Sequence, residues 1–225
     1  MAYRAVIFDL DGTLLDTLED IGDAANRVLA GRGFPTHPVD SYRDFIGDGA
    51  GRLIMRALPP DHRQPETLQG CLTDFGAAYA RNWNVKSRPY PGIPELLSAL
   101  LDRGVLCAVL SNKPEVFTVQ CVSELLSAWT FPVVMGAVPE RPHKPDPQGA
   151  REAARRLEVD PSQVLYVGDT VTDMQTALAA GMLPLGVSWG FRPAAELTAH
   201  GARAILEKPL DLLPWLDHPP SDQSY

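Results

Sequence analysis

Unbroken apolar runs that stop abruptly at polar residues mark the chain. Ala5-Val-Ile-Phe8 stops at Asp9, 106–110 stops at Ser111, and 164–167 stops at Gly168-Asp169. Short continuous apolar runs are the pattern of strands covered on both faces. Weaker runs of the same kind lie at 132–135, 183–187 and 203–206. Helical spacing separates them, over about 93–103, 114–126, 147–157, 173–180 and 194–199. Strands alternating with helices predict an α/β fold, a parallel sheet with helices on both faces. Ligands of such sheets bind at the carboxyl ends of the strands, where the polar stops fall.

One stretch breaks the alternation. Residues 17–88 carry helical patterns and no convincing strand. Helices are predicted over 18–29, 50–58 and 66–82, the last with Leu68, Leu72, Phe75 and Tyr79 on one face. The Pro-rich segment 87–92 reads as a hinge or linker. The expected organisation is a sheet domain from 1–16 and 89–217, an all-helical insert at 17–88 and a disordered tail at 218–225.

The chain has 225 residues, 45% of them hydrophobic, which is ample for a core. The net charge of −8 argues against nucleic acid as partner, since phosphate backbones need clustered Lys and Arg. It leaves room for a small phosphorylated metabolite met by a few local cations. Cys71, Cys107 and Cys121 are scattered without metal-ligand spacing, which suits a reduced cytoplasmic protein. The opening residues are expected to be neither a signal peptide nor a membrane span, and no later stretch is apolar enough to cross a bilayer. Monomer and homodimer are both compatible with the sequence.

Four segments carry candidate chemistry. Asp9-Leu-Asp-Gly-Thr13 puts two carboxylates on a tight turn at a strand end. They fit a nucleophile and a proton donor for phosphoryl transfer, or an ordinary Asp-Gly turn. Ser111-Asn-Lys113 leads into a helix at Pro114, which suits a phosphate cradle or a simple helix cap. Lys144 stands between prolines in Pro142-His-Lys-Pro-Asp-Pro147, a rigid ammonium for a phosphate or a solvated loop lysine. His143 reads as a loop residue rather than a catalytic acid. Gly168-Asp-Thr-Val-Thr-Asp173 offers Asp169 and Asp173 as hard oxygen ligands for Mg²⁺, or as helix-capping carboxylates. Together the four supply nucleophile, acid, cation and metal site.

In this order the segments resemble the four motifs of the haloacid dehalogenase-like hydrolase superfamily, over nearly the whole chain. The resemblance implies a Rossmann-like core with a helical cap inserted after the first motif. It implies Asp9 as the nucleophile that becomes an aspartyl-phosphate and Asp11 as acid then base. It implies Mg²⁺ held by Asp9, the Asp11 backbone carbonyl and Asp169, with Asp173 acting through water. Ser111, Lys144, Asn112 and the backbone near Gly12 would bind phosphate. Ser111-Asn-Lys-Pro114, the segment Phe45–Leu53 and Val187-Ser-Trp-Gly-Phe191 are similar to phosphoglycolate phosphatases. In the second of these, Gly47, Gly49 and Gly51 let backbone approach a ligand and Arg52 fits a substrate carboxylate, or the segment is a flexible loop with a surface arginine. Trp189 and Phe191 are expected near the mouth of the site or in the core.

These residues predict a magnesium-dependent phosphatase of small monoesters, with 2-phosphoglycolate as the substrate the resemblance favours. A mutase of the β-phosphoglucomutase kind, a pyrophosphatase, and a nucleotide or sugar phosphatase use the same core and remain open. A phosphonatase would need a cap lysine for a Schiff base. The only lysine before Lys113 is Lys86, at the hinge, which disfavours that chemistry. A non-catalytic binding protein is the reading from another class, and retention of every expected catalytic residue type speaks against it.

Overall fold

The computed structural model describes residues 3–217. The chain runs β1 (Ala5–Phe8), a short β2 (Leu15–Asp16), then α1 (Leu18–Gly31), α2 (Tyr42–Phe45), α3 (Ala50–Ala57), α4 (Pro65–Asn82) and a short β3 (Arg88–Pro89). It then alternates through α5 (Ile93–Asp102), β4 (Leu106–Pro114), α6 (Glu115–Leu125), β5 (Val133–Ala137), α7 (Gln148–Arg156), β6 (Val164–Gly168) and α8 (Val171–Ala180). The last elements are β7 (Leu183–Val187), α9 (Ala194–Ala199), β8 (Ala204–Leu206) and a 3-10 segment at Pro209–Leu216.

Six strands form one parallel sheet in the order β5-β4-β1-β6-β7-β8. Ala5 lies opposite Leu106 on one side and Val164 on the other. The chain therefore builds outward from β1 in one direction, returns, and builds in the other. That reversal beside β1 is a switch point, where the crevice at the strand ends opens.

The apolar runs are continuous because both faces are covered. Val6 and Phe8 join Val109, Leu165, Val167, Leu185 and Val187 in one core. Ala5 and Ile7 join Ala108, Leu110, Val133, Val164 and Tyr166 in the other, under the buried alanines of α7. Successive side chains of a strand point to opposite faces, so each strand feeds both cores.

Helices α1 to α4 form the segment between β2 and β3. Their apolar faces meet, with Ile21, Ala25 and Val28 of α1 and Phe75, Ala78 and Tyr79 of α4 buried. Leu68 and Leu72 of the predicted stripe are only partly buried. Two features join the feet of this segment. β2 pairs antiparallel with β3 through Leu15–Pro89 and Asp16–Arg88. The buried Asp20 carboxylate accepts from the Lys86 and Ser87 amides at 2.9 and 2.8 Å and from the Ser87 hydroxyl at 2.7 Å.

The linker reading of 87–92 is thus corrected, since β3 lies within it. A strand of two residues is too short to show a period. β4 also runs past Leu110 to Pro114, because it resumes pairing with β5 at Pro114–Ala137 after a register shift. Ser111, Asn112 and Lys113 are therefore strand residues, and α6 begins only at Glu115. Among the described residues no helix is long and apolar enough to cross a membrane. The expected tail at 218–225 lies outside the described residues.

Candidate active site

Because β1 lies between β4 and β6, their ends bring Asp9, Ser111 and Asp169 side by side. A cleft with about 520 Å³ of empty space opens there. Its floor is Asp9, Asp11, Ser111, Asn112 and Lys113. Its roof is largely apolar and comes from α1 to α4 and the start of α6: Ile21, Ile46, Leu53, Phe75, Tyr79 and Phe117.

Asp9, Asp169 and Asp173 are buried, and each offers an oxygen within 4.8 Å of the others. Asp169 accepts from the Thr13 hydroxyl at 3.0 Å and the Phe191 amide at 2.8 Å. Asp173 lies in the first turn of α8 and forms a capping box with Thr170. So Thr170, not Asp169, is the capping residue. The other Asp173 oxygen is 2.7 Å from the Lys144 ammonium, which also lies 2.9 Å from Asp9. Lys144 donates to Asp173 and, at 3.2 Å, to the Leu110 carbonyl; its contact with Asp9 is an ion pair, and that Asp9 oxygen has no hydrogen-bond partner among the described residues.

The backbone leaves room for this cluster only where side chains are missing. Gly12 has φ +87°, and a Cβ there would lie 2.3 Å from an Asp169 oxygen. A Cβ on Gly190 would lie 2.2 Å from Asp169 Cβ. Burial, opposed by Lys144 and reinforced by Asp173 and Asp11, pushes the Asp9 carboxyl up to about 7. Burial, then Asp9 and Asp173, holds Asp169 well above the usual carboxylate range. Burial alone would lower the Lys144 ammonium, but Asp173 and Asp9 outweigh it and raise it well above an ordinary lysine. The one ammonium pairs with two of the three close carboxylates, Asp9 and Asp173, so hard oxygens with too little positive charge are gathered in one place. That donor set fits a divalent cation of the Mg²⁺ kind.

The Asp11 side chain stands outside this cluster. It accepts from the Thr17 hydroxyl at 2.8 Å, and its two oxygens lie 2.9 and 3.1 Å from the Lys113 ammonium. Lys113 is buried, with its ammonium 4.6 Å from the centre of the Tyr79 ring. Burial would lower that ammonium, but Asp11, then Tyr79, outweighs it and raises it above its ordinary value. The Tyr79 hydroxyl is buried without a hydrogen-bond partner.

The other expected phosphate and cap residues are placed unequally. Ser111 lies on the floor of the cleft, and its Oγ accepts from the Lys113 amide at 3.3 Å. Asn112 differs from expectation. Its side chain accepts from the Lys144 amide at 2.9 Å and donates to the Lys144 and Gly47 carbonyls, both at 3.1 Å. The side chain braces two loops, and both its amide protons are already donated. Gly47 and Gly49 line the cleft, whereas Gly51 faces open space. Arg52 is exposed and absent from the cleft lining, a correction to its expected role. Leu53, Ile54 and Ala57 form the inward face of α3 and turn position 52 to solvent.

Sequence reasoning passed over several residues that hold the site. Thr13 and Thr170 stand inside the quoted motifs without a role of their own, and Thr17 lies just beyond the first. Lys113 ended a quoted motif without a role, and Tyr79 was assigned only to a helix stripe. The usable signal for Lys113 was a charge inside an otherwise apolar strand context. Trp189 does pack at the site, donating to the Thr13 carbonyl at 3.0 Å.

Comparison with known proteins adds four findings. The family model described as haloacid dehalogenase-like hydrolase matches residues 6–187. An N-acetylmuramic acid 6-phosphate phosphatase of Pseudomonas aeruginosa is 34% identical over 96% of both chains. A phosphoglycolate phosphatase of Nitrosospira multiformis is 35% identical over 92% of both. A crystal structure from Lactobacillus delbrueckii subsp. bulgaricus, provisionally assigned as a phosphoglycolate phosphatase, superposes with a TM-score of 0.90 at 30% identity, covering 96% of this chain and 99% of that one.

Proposed function

The chain belongs to the haloacid dehalogenase-like hydrolase family and is a phosphoric monoester hydrolase, and from that premise we propose that it hydrolyses 2-phosphoglycolate by attack of Asp9 on phosphorus. The observation that carries the proposal is the Asp9 carboxylate at the end of β1, on the cleft floor, 2.9 Å from Lys144 and grouped with Asp169 and Asp173.

In the first step an Asp9 oxygen bonds to phosphorus as the ester P–O bond breaks. The departing alkoxide takes a proton from Asp11. Water then attacks the aspartyl-phosphate, gives its proton to Asp11, and releases phosphate with Asp9 restored. Lys144 screens the approach of one anion to another, and the Ser111 hydroxyl donates to the phosphate. Mg²⁺ held by Asp9, Asp169 and the Asp11 carbonyl, with Asp173 beside it, would neutralise charge building on the phosphoryl oxygens. Residues 17–88 act as a cap that shields the aspartyl-phosphate, over a core of 1–16 and 89–217. The three described cysteines are free and buried, which supports work in the reducing cytoplasm.

Asp9→Asn is expected to lower turnover of p-nitrophenyl phosphate by about 10⁴-fold or more, with an unchanged circular dichroism spectrum. Normal turnover in that variant would sink the assignment. The substrate is tested by a panel of 2-phosphoglycolate, N-acetylmuramic acid 6-phosphate, pyrophosphate, nucleotides and sugar phosphates. The muramic acid ester is the second reading, favoured by the relative of near-equal identity. A higher kcat/KM for any other member of the panel rejects 2-phosphoglycolate.

A further inference from the structure

Lys113 has no part in the reaction just described, yet it is buried on the cleft floor. A buried ammonium costs several kcal/mol in lost hydration unless partners repay it. Here the partners are Asp11, at 2.9 and 3.1 Å, and the face of Tyr79 at 4.6 Å. Among the described residues lining the cleft, Lys113 is the only lysine or arginine. Lys144 is absent from the cleft lining and held by Asp9, Asp173 and the Leu110 carbonyl, and Arg52 is exposed. Beside the ammonium the buried Tyr79 hydroxyl has no well-aligned hydrogen-bond partner among the described residues, which leaves room for a further polar group in this corner.

We propose that Lys113 is the specificity-determining cation of this phosphatase and that it takes a carboxylate carried on the same carbon as the phosphate ester. The inference rests on the proposed role of Asp11. The group that protonates the leaving oxygen must touch that oxygen. A cation in hydrogen-bond contact with Asp11 therefore stands next to the substituent on the ester carbon, not next to a distant one. When a substrate carboxylate arrives, Lys113 exchanges the Asp11 oxygens for the substrate's. The acid is then matched with charge, and Asp11 is freed to reach the leaving oxygen. Esters that lack the acid leave Lys113 on Asp11. Esters whose acid is far from the phosphate, as in a muramic acid 6-phosphate, place no charge at Lys113. The apolar roof disfavours polar substituents elsewhere on a small substrate.

The test compares kcat/KM for 2-phosphoglycolate, its methyl ester and ethyl phosphate, within single preparations. Such ratios do not depend on how much of a variant is folded. The wild type should prefer the free acid by about 100-fold or more, because an analogue without the acid leaves the buried cation without its substrate partner. In Lys113→Met that preference should fall to within about threefold of unity, while Lys113→Arg should keep part of it. No preference in the wild type, or an undiminished preference in Lys113→Met, overturns the inference. So do equal losses on all three esters, which would assign Lys113 to holding Asp11 alone. If 2-phosphoglycolate is the best substrate but acid and methyl ester react alike, this inference fails and the phosphatase reading stands. If no ester is hydrolysed by the wild type, the reading itself has failed.

Discussion

Lys144 shows how one side chain makes a crowded anionic site tolerable. Its side chain is 3% exposed, lies between Asp9 and Asp173, and also donates to a carbonyl. Its surroundings, not its own chemistry, fix it there: the Asn112 side chain brackets its amide and carbonyl. Removing one member of a buried ion pair strands the others without hydration. Lys144→Met is therefore expected to lower unfolding stability by about 3–5 kcal/mol in urea titration. It should also lower kcat on p-nitrophenyl phosphate by about 10²-fold or more. Full stability in that variant would mean that Asp9 and Asp173 are held by something other than Lys144.

At the scale of elements, the question is what keeps the helical segment seated over the strand ends. The apolar faces of α1 and α4 hold the helices to each other, but polar contacts tie their far side to the sheet. Arg192 donates to the Arg43, Asp44 and Ile46 carbonyls, and Arg43 donates to the Gly190 carbonyl. Asp48, just before α3, pairs with Arg56 and accepts from Thr172 in the first turn of α8 at 3.0 Å. Burial pushes the Asp48 carboxyl up, but the hydrogen bonds from Arg56 and Thr172 outweigh it and hold it below the usual carboxylate range. A carboxyl lowered in the folded state adds stability above its unfolded value, and that contribution disappears as pH falls through its folded value. Asp48→Asn should thus cost about 0.5–1 kcal/mol at neutral pH, given the partial exposure. The difference from wild type should begin to shrink near about pH 4 and disappear only once pH has fallen through the lowered folded value, measured by urea unfolding across a pH series. A difference that persists unchanged in acid would remove Asp48's charge from the account.

For the whole molecule, the three carboxylates join parts far apart in sequence, so a cation bound among them should stabilise the entire fold. Asp9 follows β1, Asp169 follows β6, and Asp173 opens α8. Ligand bound only to the folded state at a hundredfold excess over Kd adds about 2.7 kcal/mol, which in a chain of this size raises Tm by roughly 5–10 °C. Mg²⁺ added to protein stripped with EDTA should give a shift of that order in calorimetry, and Asp169→Asn should abolish it. An equal shift in Asp169→Asn would place the ion elsewhere.

The sequence by itself determined the six strands of the parallel sheet, their alternation with helices and the helical interruption, because continuous apolar runs and helical spacing are local patterns; the two-residue β2 and β3 were too short to leave one. It also determined Asp9, Asp11, Asp169 and Lys144 as candidates, since each stands where a run ends or a rigid loop begins. Tertiary structure alone decided who touches whom. Sheet order set Asp9 between Ser111 and Asp169, and the capping box gave Asp173 to Thr170 and Lys144. The inward face of α3 removed Arg52, and the extension of β4 buried Lys113 against Asp11 and Tyr79. Contacts of this kind join residues a hundred positions apart, and their energies come from shared burial, which no local pattern records. Lys113 could be quoted from the sequence as part of a motif, but only its enclosure shows a charge that must be answered.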